Sequence, residues 1–130
     1  MAFEIPGFCD GTRSAGADLS AKQYYFVKLN SSGQVVIIAA NTDKPYGILQ
    51  NAPTSGQAAE VMLMGISKVS ADADLAIGDQ IGASADGQAA TYAPGTDTTK
   101  YIVGEVLTAN TAAAGLVSVA FNCMGAGRGA

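Results

Sequence analysis

The sequence predicts an all-β fold, a small barrel or sandwich of about seven to eight short strands preceded by an extended N-terminal arm. Two observations carry this. Apolar residues fall in short runs, such as Tyr24-Tyr25-Phe26-Val27, Val35-Val36-Ile37-Ile38, Val61-Met62-Leu63-Met64-Gly65-Ile66 and Leu116-Val117-Ser118-Val119-Ala120-Phe121. Runs of that length suit strands and are too short for helices. Each run is closed by Gly, Asp, Asn or Ala-Asp, the chemistry of tight turns.

Three segments follow from the pattern: an extended arm over 1–20, a β domain over 21–123 and a flexible Gly-rich tail over 124–130. In the arm, Phe3, Ile5 and Phe8 are irregularly spaced, Pro6 and Gly7 break any regular element, and 11–20 is turn-like. Such an arm cannot bury Phe3 and Phe8 by itself, so it either lies back on its own domain or grips a neighbour.

Residues 22–29 and 34–39 read as a hairpin around Asn30-Ser31-Ser32-Gly33. The run Val35 to Ile38 is apolar at every position, which predicts cover on both faces. A turn at 41–45 leads to the short segment Tyr46-Gly47-Ile48-Leu49 and then a loop over 51–57. The longest strand is expected over 59–70, with a bulge or corner at Gly65 and with Met62 and Met64 on one face as core or interface filler. Asp72 to Ala76 suits a single helical turn capped by Asp72. Residues 77–82 return to strand, and Asp86-Gly87 signals a two-residue type I′ hairpin. The closing strands fall over 100–107 and 115–121, and the alanine-rich stretch between them suits another helical turn.

Composition bounds the function. The 130 residues fit one domain. Alanine accounts for 24 of them, and only 14% are charged, which suits close subunit contacts. Net charge is −4, and no two of the seven basic residues are adjacent. A patch that tracks phosphates is therefore absent from the sequence, and direct nucleic-acid binding is not expected. No run approaches a membrane span, and the first residues lack the basic and apolar regions of a secretion signal, so synthesis in a cytoplasm and no membrane partner are expected.

Candidate chemistry is sparse. The chain has no histidine, which leaves serine and cysteine nucleophiles without their usual base. Glu60 and Glu105 fall on expected strands and could face each other, but a surface pair is far commoner than a tuned dyad. Asp72, Asp74 and Asp79 miss the EF-hand spacing and its closing Glu. Asn30-Ser31-Ser32 is a glycosylation sequon with no secretory context. The glycines at 125, 127 and 129 precede no helix that could present amides to a phosphate. Cys9 and Cys123 form no metal or disulfide framework. Reduced thiols are expected, one bridge being the alternative. The expectation is no enzyme, no metal and no cofactor.

Two ordered stretches carry a resemblance. One runs from Pro45-Tyr46-Gly47-Ile48-Leu49 through Ala59-Glu60-Val61-Met62-Leu63-Met64-Gly65-Ile66 to Leu75-Ala76-Ile77-Gly78-Asp79-Gln80-Ile81 and Asp86-Gly87-Gln88. The other is Tyr101-Ile102-Val103-Gly104-Glu105-Val106-Leu107 with Leu116-Val117-Ser118-Val119. Together, over about 22–122, they resemble the small decoration, or cement, proteins of tailed-phage heads. The resemblance implies a β-rich domain, often trimeric, on the outside of an icosahedral shell. There it bridges neighbouring major capsid subunits against internal DNA pressure, with an N-terminal arm engaging the shell and no catalytic residues. The expected partners are the major capsid protein and the chain itself as a homo-oligomer, and the expected location is the virion exterior. Expected interface residues are Phe3, Ile5, Pro6, Phe8, Val35 and Ile37. A phage fibre or spike segment, or a cell-surface adhesion domain, is the alternative; a small barrel enzyme or ligand carrier is more distant.

Overall fold

The computed structural model describes residue 2 and residues 4–109, 115–125 and 127–129, with the Pro6 side chain left out. Phe3 and most of the expected helical turn after residue 107 lie outside the described residues. All regular structure among the described residues is strand: β1 Ile5–Ser14, β2 Phe26–Leu29, β3 Val35–Ile37, β4 Gly47–Leu49, β5 Ala58–Ser70, β6 Gln80–Ala83, β7 Ala89–Thr91, β8 Tyr101–Ile102, β9 Gly104–Val106, β10 Leu116–Asn122 and β11 Gly127–Arg128. The all-β expectation holds. The 72–76 stretch is bend rather than helical turn; buried Leu75 ties it to the core.

β5 organises the molecule. It pairs antiparallel with β4 through Val61 and Met62, with β10 through Met64 to Ser70, and with β1 from Ala58 to Ile66. A strand has two edges. Since β1 shares Val61 and Met62 with β4, and Met64 and Ile66 with β10, β1 holds one edge while β4 and β10 succeed one another along the other. Two wings leave that shared edge: β4-β2-β3 and β10-β9-β6-β7.

A change of phase along β5 lets the wings face each other. Met62 and Val69 are an odd number of residues apart, yet both enter the main core with Phe26, Ile48, Val119 and Phe121. Strict alternation would send them to opposite faces. The register against β1 slips between Met64 and Met62, and Gly65 has φ +137°, so the strand carries a bulge at the expected corner. The same bulge separates Met62, which is buried in this core, from Met64, which is half-buried opposite Phe8. The two methionines do not share a face.

A second core lies on the far side of the first wing, where Val27, Val35, Leu49, Ala59 and Val61 are covered by Ala15 and Leu19. The later part of the arm is thus a wall of the domain. The first wing meets the tip of the second, where the Phe26 amide donates to Gly87 O (2.8 Å), and just past β5 Asp72 N donates to Ala89 O (2.8 Å); both bonds curl the sheet towards a half-barrel.

The two hairpin loops share one geometry. Asn30 N donates to Gln34 O and Gly33 N to Asn30 O; Ser84 N donates to Gln88 O and Gly87 N to Ser84 O. Gly33 (φ +78°) and Gly87 (φ +91°) take the left-handed position, while Asp86 does not. Each is therefore a three-residue loop with glycine last, which at Asp86-Gly87 replaces the expected two-residue type I′ turn. The Asn30 side chain accepts from the Ser32 and Gln34 amides, so the sequon asparagine serves the loop. The tail expected to be flexible is paired in part: Gly127 lies opposite Ile102 and Arg128 opposite Tyr101. The Gly129 amide donates to Lys100 O, so backbone hydrogen bonds hold a segment that its composition marks as loose.

Candidate docking surface

The exposed apolar ridge is built by β1 on β5. Pro6 and Gly7, which read as breakers, instead sit in an irregularity between the pairs Ile5↔Ile66 and Phe8↔Met64. A Cβ at position 7 would stand 2.0 Å from Met64 O, so only glycine lets the two backbones approach this closely. Directly paired residues share a face, which aligns Ile5 with Ile66 and Phe8 with Met64. Ile5 is 54% exposed and Phe8 65% exposed, both on a strand whose outer edge pairs with no other strand along 5–14 among the described residues. A shallow hollow lined by Gly7, Phe8, Met64 and Gly65 accompanies them.

The remaining expected interface residues do not join this surface. Val35 is fully buried in the second core of the single chain. Ile37 is 43% exposed on β3, separated from β5 by β2 and β4. Alternation puts Val35 and Ile37 on the same face; Ala15 pairs with Val35 and covers it, whereas Ile37 lies beyond that cover. Phe3 and the Pro6 side chain are outside the described residues.

A polar latch fixes β1 beyond the ridge. The Tyr46 hydroxyl donates to Asp10 Oδ2, the Thr12 hydroxyl to Asp10 Oδ1, and Arg13 Nε lies 3.3 Å from the same carboxylate. Arg13 also donates to Gly33 O (3.1 Å) and stands over the Tyr46 ring at 5.7 Å. The hydrogen bonds from Thr12 and Tyr46, with the Arg13 charge, hold the Asp10 pKa down to about 2. The arm is thereby tied to the loop between β2 and β3 and to the turn before β4.

The candidate chemical groups are scattered. Glu105 lies opposite Ala120, which lies opposite Ile66, six positions along β5 from Glu60. Asp79 accepts from Ala76 N and Thr91 Oγ1, whereas Asp72 and Asp74 are exposed loop residues. Among the described residues no three His, Cys, Asp or Glu side chains gather as a metal site would require. Both thiols are free; Cys9 is exposed on β1 and Cys123 is buried.

The architecture has a solved counterpart. It is similar to the crystal structure of the N base of head fibre gp8.5 of bacteriophage phi29, with a TM-score of 0.62 over 89% of this chain and 92% of that one. Identity is 17%, so the likeness establishes a shared fold. No protein-family model matches the chain, and no curated protein matches it. The sequence pattern did not reveal that Met64 and Ile66 complete the ridge, because their partners in β1 are set by two register shifts that no local signal marks.

Proposed function

We propose that this chain is a structural, non-enzymatic protein of a phage virion, seated on the outside of the head, where it braces the shell by bridging major capsid subunits. The observation that carries the reading is the ridge of Ile5 and Phe8, held on the domain's edge strand and left uncovered. The fold shared with a phage head-fibre base supports it, as does the order of motifs resembling decoration proteins. Covering each of these side chains on a partner contributes roughly 1.5–3 kcal/mol by area. The backbone beneath them is already ordered by β5, so little of that gain is spent on ordering. Repetition over a lattice would turn a modest patch into firm attachment.

The same neighbour favours a second reading, in which the domain is the anchoring base of a head fibre. Both readings need a docking face, and they differ in occupancy and in what projects outward.

The test is cosedimentation with expanded shells lacking this protein. Ile5→Ser/Phe8→Ser should fold normally and lose most of its binding. Full retention of binding by that variant overturns the ridge as the docking face. Reconstruction of decorated shells then separates the two readings: density bridging capsid subunits across the lattice supports bracing, and a projecting stalk at isolated positions supports the fibre base.

A further inference from the structure

We propose a second docking site beside Leu63 of β5, a groove that takes an extended apolar peptide segment bearing a carboxylate. The groove, about 500 Å³, is lined by Leu29, Pro45, Tyr46, Leu63 and Met124, with Lys44 and the buried Cys123. Leu63 packs with Leu29 and Tyr46 against the second core, whereas its neighbour Met64 belongs to the Phe8 ridge. Groove and ridge have no lining residue in common, so they are separate surfaces.

Charge identifies the occupant. Six of the seven basic side chains are engaged: Arg13 with Asp10, Lys28 with Asp43 (2.8 Å), Lys100 with Asp97 (3.3 Å), and Lys22, Lys68 and Arg128 over the rings of Tyr25, Tyr24 and Tyr101. Lys44 has neither ion pair, hydrogen bond nor ring partner among the described residues, and it stands exposed at an apolar groove. Neighbouring acids do not cancel it. Asp43 is taken by Lys28 and by the Ala39 and Ala40 amides, and Asp10 by Tyr46, Thr12 and Arg13. Burial pushes the Cys123 thiol up to about 12, so the lining brings no negative charge of its own. Met124, 60% exposed, supplies an adaptable apolar wall. A leucine- or phenylalanine-sized side chain next to a glutamate matches this combination, and sites of this volume accept ligands of that size.

The inference rests on the virion reading only in taking the occupant to be a protein segment; it adds a second contact, which is what one copy needs to join two neighbours. The test uses the free ¹⁵N-labelled full chain and the probe N-acetyl-Leu-Phe-Glu-Leu-amide. Saturable amide shifts are expected at Leu29, Lys44, Tyr46, Leu63 and Met124. Affinity should fall about threefold to fivefold for the glutamine version of the probe, and equally for Lys44→Met, as for a partly exposed ion pair. The exposed position of Lys44 leaves the fold of that variant intact, checked by its melting curve. Absence of saturable shifts, equal affinity for both probes, or shifts confined to Ile5 and Phe8 overturns the proposal. So does self-association that Lys44→Met abolishes, which gives the groove to a second copy, or binding of decanoate without the peptide, which gives it to a small amphiphile. Because no shell enters this experiment, its failure is separate from failure of the ridge.

Discussion

The hydroxyl of Tyr46, on the turn before β4, donates its hydrogen to the carboxylate of Asp10 on β1. Thirty-six positions of chain separate the two residues, and their contact converts an N-terminal arm into part of the domain. The Asp10 pKa is held near 2, below its ordinary value of 3.8. A depressed carboxylate contributes stability that is present above its unfolded pKa and lost as pH falls through the folded one. The melting temperature of the native chain should therefore exceed that of Asp10→Asn at pH 6, and the gap should close between pH 3.8 and 2. A gap that persists unchanged at pH 2 would show that the carboxylate charge is not what holds the latch.

Truncation should divide the arm in two. Removing residues 1–8 deletes the ridge but leaves Ala15 and Leu19 over Val27, Val35, Leu49 and Val61. That protein should stay folded and lose shell binding. Removing residues 1–20 uncovers the second core and should abolish the cooperative melt, with aggregation in its place. Circular dichroism melts and cosedimentation of the two truncations check both statements.

Gly87 is a sharp point of failure. It sits at φ +91°, and a Cβ there would lie 2.7 Å from Phe26 O, the carbonyl of the residue whose amide donates to Gly87 O. Gly87→Val should cost about 2–4 kcal/mol, from left-handed strain together with overpacking where the wings meet. Chemical denaturation would register this as a lowered midpoint; an unchanged midpoint would mean that the tip contact does not close the sheet.

Val35 and Ile37 should part company on mutation. Val35→Ala removes volume from a fully buried site and should cost about 1–3 kcal/mol. Ile37→Ser, at a position 43% exposed, should change stability by less than about 0.5 kcal/mol. Equal losses at both positions would imply that a second copy covers β3 in solution.

The elements that were legible in the sequence are those set by local chemistry. The Asn30–Gln34 loop, the long strand over 59–70 and its corner at Gly65 follow from turn residues and runs of apolar ones. What escaped depends on partners distant in sequence. Pro6 and Gly7 look like a break until Met64 and Gly65 are present to accept an irregular pairing. Met62 and Met64 look equivalent until the bulge sends them apart. The tail from Gly127 gains its strand only from Tyr101 and Ile102. The ridge was half-visible, as Ile5 and Phe8 without Met64 and Ile66, and the groove by Lys44 was invisible because Leu29, Leu63 and Met124 meet only in the fold.

The placement of β5 also constrains synthesis. Its edges are filled by β1, made first, and by β10, made nearly last. On the ribosome, the emerging chain can hold the first wing and the arm together, yet Val69 and Ala71 wait for Val117, Val119 and Phe121 to leave the exit tunnel. Such non-local pairing is the hallmark of folding on the millisecond-to-second scale. The unfinished intermediate shows an open β5 edge and half a core to the cell, so translation rate and chaperone access over the last quarter of the message should govern the yield of native protein.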